Sequence, residues 1–201
     1  VGSSDNVPSA AKIVNADGED VTASYDITYA NGQLVVTVNK AAIITADSDT
    51  KVYDGTPLTK GTYAVAGLQT GHTIESVTIT GSQTVAGTSN NVPSAAVIKN
   101  ASNEDVTASY TIKYVNGTLE VTQKPLTITA DGDTKTYDGT ALTKNSYTNT
   151  ALATGDAIES ITITGSQTVA GSSNNVPSAA VIKNGSNENV TASYNITYTN
   201  G

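Results

Sequence analysis

Residues 51–117 and 135–201 spell one 67-residue passage twice, 84 positions apart, with 49 identities and 18 substitutions. A further copy opens the chain, because Asn6-Val7-Pro8-Ser9 returns as Asn91-Val92-Pro93-Ser94 and as Asn175-Val176-Pro177-Ser178. A period of this size marks supersecondary units that are stacked or strung together, so the folding problem reduces to one copy and its junctions. The array starts and stops inside a copy. We therefore expect residues 1–46 to be the C-terminal part of a copy, 47–130 a complete copy, and 131–201 a copy lacking its last strand.

A copy of this length can bury a core of its own, although a domain so small folds with a modest margin. The material for that core is restricted. The chain has no Cys, Met, Trp or Phe, and all ten aromatics are Tyr. Val, Ile, Leu, Ala and Tyr must fill the interior. Absence of Cys removes disulfides, thiolate metal sites and cysteine nucleophiles together.

The net charge of −8, with ten scattered basic residues, offers no patch for nucleic acid or an anionic membrane, both of which bind clustered Lys and Arg. No apolar run reaches the length of a membrane-spanning helix, so membrane insertion of this segment is not expected.

Short alternations of apolar residues with Thr signal strands, as in Leu126-Thr127-Ile128-Thr129, Val77-Thr78-Ile79-Thr80 and Ile161-Thr162-Ile163-Thr164. In Tyr110-Thr111-Ile112-Lys113-Tyr114 the tyrosines and Ile112 share one strand face. Asn116-Gly117 then precedes Leu119 and Val121, which predicts a hairpin on the favoured turn dipeptide. The first copy repeats this with Tyr25, Ile27, Tyr29, Asn31-Gly32, Leu34, Val36 and Val38. No window has helical spacing over ten residues; one short helical turn is allowed near Leu68–Glu75 and Leu152–Glu159. Turn signals such as Asp54-Gly55, Gly67, Gly71, Gly81 and Gly87 divide a copy into six or seven strands.

The expected fold is all-β: tandem small antiparallel sandwiches of immunoglobulin-like type, or β-grasp-like sheets, in a linear rod. At the second junction Val121-Thr122-Gln123-Lys124-Pro125-Leu126 runs from one copy into the next without a flexible linker, and Pro125 restricts the backbone there.

Catalytic residues are not expected. His72 is the only histidine and its counterpart is Asp156, so no histidine triad or repeated histidine metal site can be shared by the copies. We read His72 as an exposed turn residue. The recurring carboxylates, Glu75 with Glu159 and Asp54 with Asp138, stand singly in the sequence, without the partner that acid–base work needs. Asp47-x-Asp49 and Asp131-x-Asp133 lie at the junctions between copies, and Ca²⁺ is the one cofactor for which this pattern leaves room. Lys51, Lys60 and Lys99 with Asn100 and Glu75 supply the residue types of an isopeptide crosslink, but these are also ordinary strand-end residues. The Thr78/Thr80 and Thr162/Thr164 pairs are too sparse for a flat ice- or sugar-binding array. The paired tyrosines accompany Ile on one face and read as core with a hydrogen-bonding tip.

Three segments carry a resemblance: Lys51-Val52-Tyr53-Asp54-Gly55; Gly67-Leu68 with Gly71-His72; and Ser109-Tyr110-x-Ile112-x-Tyr114-x-Asn116-Gly117-x-Leu119-x-Val121. Together they resemble the YDG and MBG-type repeats of large bacterial cell-surface proteins and adhesins. The next copy repeats them as Tyr137-Asp138-Gly139, Leu152-x-x-Gly155-Asp156 and Tyr194-x-Ile196-x-Tyr198-x-Asn200-Gly201. Gly71-His72 departs from the Gly-Asp common in those repeats. The resemblance implies extracellular, non-catalytic modules that extend a surface protein as a stalk or fibre. Their partners would be neighbouring copies, like chains, or host and matrix glycans. The alternative is a module that binds such glycans weakly at each copy and gains avidity by repetition.

Overall fold

The computed structural model describes residues 2–37 and 40–201, so the expectation for Val38 lies outside the described residues. Fourteen strands follow in chain order. They are β1 (Gly2–Asn6), β2 (Gly32–Val36), β3 (Lys40–Ala46), β4 (Asp49–Val52), β5 (Tyr63–Ala66), β6 (Thr73–Thr80) and β7 (Gly87–Lys99). Then come β8 (Tyr110–Val115), β9 (Gly117–Thr122), β10 (Lys124–Ala130), β11 (Tyr147–Asn149), β12 (Ala157–Thr164), β13 (Val176–Lys183) and β14 (Tyr194–Thr199). Among the described residues no α-helix occurs, and the chain is all-β. β3 lies in the sheet of β5 and β8, and β10 in that of β11 and β14, so by its sheets the middle copy runs from Lys40 to Gln123 instead of 47–130 and contributes the seven strands β3 to β9.

The helical turns fall where the sequence did not signal them. Three-residue 3₁₀ turns form at Thr22–Ser24, Thr107–Ser109 and Thr191–Ser193, in the recurring Thr-Ala-Ser, whereas Leu68–Glu75 makes a tight turn and enters β6. The period-two reading holds in β6, where Ile74, Val77 and Ile79 are half-buried and Thr78 and Thr80 face solvent.

The expected Asn-Gly hairpin does not form. β8 and β9 belong to different sheets, ordered β5-β3-β8 and β4-β9-β7-β6, with only Asn116 between them. Neither Asn116 nor Gly117 has the positive φ that a hairpin turn of this type requires. Gly117 answers a different need. A Cβ there would lie 2.6 Å from the Ala46 carbonyl oxygen, so the close passage of two backbones selects glycine.

Most strand pairs are antiparallel, as an antiparallel sandwich requires, but two are parallel. β9 pairs antiparallel with β7 (Asn91↔Gly117, Ser89↔Leu119, Gly87↔Val121) but parallel with β4 (Asp49↔Leu119, Lys51↔Val121). β10 likewise pairs antiparallel with β11 and parallel with β14. The parallel partners are an early and a late strand of one copy. Such pairing needs a long crossover, which the body of the copy supplies.

The chain divides into two compact bodies: residues 1–43, 65–77 and 95–113, and residues 44–64, 78–94 and 114–201. The first holds the β1–β2 pair and a small core of Ala42, Ile98 and Tyr110, flanked by Leu68, Ile74, Val106 and Ile112. The second is built on a larger cluster that includes Tyr53, Leu58, Leu119, Val121, Leu126, Ile128, Ile182 and Tyr194.

One polar side chain anchors that second body. Asn91 is fully buried, and its Nδ2 donates to the carbonyls of Asp47 and Lys60, both at 2.9 Å. Asn175 repeats both bonds with Asp131 and Lys144, also at 2.9 Å. The Asn of the Asn-Val-Pro-Ser repeat is thus an internal staple that ties β7 to two loops. Asn91→Ala should lower unfolding free energy by about 2 kcal/mol, as two buried hydrogen bonds are lost. Asn6→Ala, at the exposed equivalent in β1, should leave the urea midpoint unchanged.

Candidate functional site

The described residues bring their most constrained side chains together where the middle copy meets the last one, inside the second compact body. A single residue, Gln123, separates β9 from β10. With no linker, the end of one copy must pack directly against the start of the next.

The Lys-x-Tyr-Asp-Gly motif is the local device. Lys51 Nζ lies 2.7 Å from Asp54 Oδ1, and that oxygen also accepts the Thr56 N–H at 2.9 Å and its hydroxyl at 2.8 Å. This closes an Asx-type turn, with Gly55 taking φ +85°. The Lys51 ammonium first, then the Thr56 donors, hold the Asp54 carboxyl well below the usual carboxylate range. The turn is therefore reinforced above the ordinary carboxylate pKa of 3.8 and loses that reinforcement as pH falls below it. Lys135, Asp138 and Thr140 form the same clamp in the next copy.

What the clamp presents is Tyr53. Its ring is 2% exposed and meets Tyr194 of the next copy edge to face, with centroids 5.5 Å apart. Its hydroxyl donates to Asp156 Oδ2 at 3.0 Å. Tyr194 donates to the same oxygen at 2.7 Å while accepting the Ala153 N–H at 2.9 Å. Two further bonds cross the joint: the Ala86 N–H donates to Ser193 Oγ at 3.0 Å, and Gln123 Nε2 to the Ala192 carbonyl at 3.0 Å. The Thr-Ala-Ser turn is thus part of the docking face. The apolar cluster continues through the joint, from Tyr53, Leu58, Leu119 and Val121 to Ala153, Val190 and Tyr194.

On the middle copy the equivalent face, in the first compact body, carries different chemistry. Tyr110 shares a 2.7 Å hydrogen bond with His72 Nδ1 and accepts the Gln69 N–H at 3.1 Å. His72 is half-buried and bonded, where the sequence suggested an exposed turn residue, because Tyr110 reaches it. The substitutions Gln69/Ala153 and His72/Asp156 both fall on this face, so the most variable segment of the repeat includes part of the docking surface.

The other predicted positions have structural partners. Glu75 and Glu159 are ion-paired with Lys99 at 3.6 Å and Lys183 at 2.8 Å. Asp49 meets Lys60 at 3.2 Å and Asp133 meets Lys144 at 3.5 Å, while Asp47 accepts the Thr62 hydroxyl and Asp131 that of Ser146. Each junction pair thus has one carboxylate engaged by a lysine and the other by a hydroxyl. Among the described residues no three His, Cys, Asp or Glu converge as a metal site. Nor do Lys51, Lys60 and Lys99 form a buried crosslinking set: Lys51 pairs with Asp54, and Lys99 reaches the half-exposed Glu75.

The tyrosines divide by position. Tyr110 and Tyr194 are core residues, as expected, whereas Tyr114, Tyr198 and the first copy's Tyr25 and Tyr29 are exposed, against the expectation that each pair is core. The hydroxyls of Tyr29 and Tyr198 accept the N–H of Ala11 and Ala180, each directly after an alanine of positive φ (Ala10 and Ala179). They brace a backbone position of positive φ.

Compared with protein-family models, curated proteins and solved structures, the chain finds no match in any of the three.

Burial, then the bond to Asp156, pushes the Tyr53 hydroxyl up to about 12, and burial first raises Tyr194 as well. Both donate as neutral phenols. Since their folded values lie above the ordinary 10.0, their contribution is complete below pH 10 and disappears as pH rises through about 12. An alkaline titration followed by tyrosinate absorbance should show a step near pH 12, and Tyr53→Phe should remove it.

Proposed function

We propose that this chain is a stretch of a non-catalytic stalk or fibre, its copies serving as spacers of an extracellular bacterial surface protein of the kind its YDG and MBG-type motifs resemble. The observation that carries this reading is the joint. Its conserved chemistry within the chain is spent on fastening one copy to the next: the clamp of the Tyr-Asp-Gly motif aims Tyr53 into the following copy, and the connector is one residue.

A joint with an apolar seam, an edge-to-face tyrosine pair and three hydrogen bonds across it resists bending better than a Gly/Ser tether. The copies act as immunoglobulin-like or β-grasp-like modules in line, and reach grows with copy number. The near-identity of the copies fits this role, because a spacer needs sameness and length rather than separate chemistry in each module. Among the described residues no helix is long and apolar enough to cross a membrane, in keeping with a segment that projects from its anchor.

Small-angle scattering from arrays of two, four and six copies tests the proposal. The maximum dimension should rise in equal steps. Growth closer to the square root of copy number would mean free joints and would sink the stalk reading.

A further inference from the structure

One Asn-led turn recurs in all three copies, at residues 15–19, 100–104 and 184–188. Asn15, Asn100 and Asn184 each accept, at one side-chain oxygen, the backbone N–H groups of the residues two and four positions on. Each also donates Nδ2 to the glutamate four positions on. What differs is the next residue, which is Ala16, Ala101 or Gly185.

At Asn184 the two bonds to Oδ1 are 3.0 Å from the Ser186 N–H and 2.9 Å from the Glu188 N–H. They draw electron density from Cγ and are in place for the negative charge that oxygen develops when the carbon is attacked. The nearest nucleophile along the chain is the nitrogen of the following peptide. After Asn15 and Asn100 a Cβ restricts the backbone rotation that carries this nitrogen onto Cγ, and Gly185 has none. Gly185 is also exposed and outside any strand, and its N–H has no acceptor among the described residues.

Asn-Gly occurs elsewhere at Asn31, Asn116 and Asn200, but in each case the glycine is held in a backbone pairing: Gly32 with Asn6, Gly117 with Asn91 and Gly201 with Asn175. Those peptides are pinned. At Asn184 alone an activated amide carbon is followed by an unpinned glycine nitrogen.

We infer that Asn184-Gly185 is a self-modifying site, where the turn converts from amide to acid with water as the only co-reactant. Hydroxide removes the Gly185 amide proton, the nitrogen bonds to Asn184 Cγ, and the Cγ–Nδ2 bond breaks as ammonia leaves with a proton returned by water. Water then opens the cyclic imide at one carbonyl or the other. The product is aspartate or, with the chain rerouted through the side chain, isoaspartate.

Either product undoes the turn. Aspartate sets a carboxylate against Glu188 where Nδ2 donated at 2.8 Å, and the neighbouring Lys183 is already engaged by Glu159. Isoaspartate lengthens the backbone inside the Asn184–Glu188 and Asn187–Asn184 bonds that close the turn. From there the chain runs through the buried Val190 to Ser193, which accepts the Ala86 N–H across the joint. A Cβ built on Gly185 would lie 3.7 Å from the carbonyl oxygen of Gly155, the residue before Asp156. Conversion therefore loosens the joint from the side of the last copy.

The folded 201-residue protein, aged in mildly alkaline buffer and mapped by peptide mass spectrometry, tests the site. Asn184 should convert first, at least about threefold faster than Asn100, as the difference in backbone freedom between Gly and Ala requires. It should also outpace Asn116, and in urea, where the ladder no longer holds Gly117, the two should react alike. Gly185→Ala, whose Cβ has room beside Gly155, should slow Asn184 to the rate of Asn100. Asn184→Asp should speed amide exchange at Ala86 severalfold, and Glu188→Gln added to it should restore protection. Asn100 or Asn116 converting as fast as Asn184 in the folded protein would overturn the site. Unchanged exchange at Ala86 in Asn184→Asp would overturn its link to the joint. None of these readouts depends on whether longer arrays are stiff.

Discussion

The fold depends on a buried tyrosine that belongs to one copy and is covered by the next. Tyr53 stands at the end of β4, where the Lys51–Asp54 clamp fixes the backbone, and its ring is enclosed by Ala153, Tyr194 and their neighbours. Were this ring exposed, the strand pair β4–β9 would end in solvent. With it enclosed, Leu119 and Val121 join Leu126 and Ile128 in one cluster, and two copies share a core. A single copy of this composition, without Phe, Trp or Met, has little large apolar surface to bury within itself. Sharing the seam is the physical remedy.

Polar groups are used sparingly but with consequence. Asn91 and Asn175 each satisfy two loop carbonyls from inside the second body, and Asp156 collects the hydroxyls of two tyrosines from two copies. A carboxylate that accepts two charge-assisted bonds at one oxygen sets the spacing of both rings more sharply than apolar contact does. His72 at the equivalent position bonds to one tyrosine, Tyr110, and presents an aromatic edge instead of an anion. The two docking faces are therefore not interchangeable, although the sequences around them nearly are.

Much of this was legible in the sequence, and the failures have physical causes. The period, the all-β class and the absence of a long linker could be read directly, because identity at fixed spacing and period-two alternation report on local geometry. Asn116-Gly117 suggests a hairpin because the dipeptide favours that turn; in the structure a close backbone crossing at Ala46 uses the same glycine for lack of a Cβ. The parallel pairing of β4 with β9 joins residues about seventy positions apart and leaves no local trace. Asp54-Gly55 was correctly a turn, yet nothing in its spacing announced that Tyr53 would be buried by another copy. Asn91 looked like a marker of the repeat, and its burial was invisible because Asn is ordinarily a surface residue. Comparing Gln69 with Ala153 and His72 with Asp156 was the one signal that could have located the docking face.

If one copy is fastened to the next, the hydroxyl of Tyr53 and the carboxylate of Asp156 must be energetically coupled across the joint. A double-mutant cycle measures this directly, using urea unfolding of the parent chain, Tyr53→Phe, Asp156→Ala and the double variant. A hydrogen bond to a charged group at a part-buried site predicts a coupling energy of about 1.5 kcal/mol. Losses that simply add, to within about 0.3 kcal/mol, would show that the two copies are neighbours without being fastened, and would contradict the account.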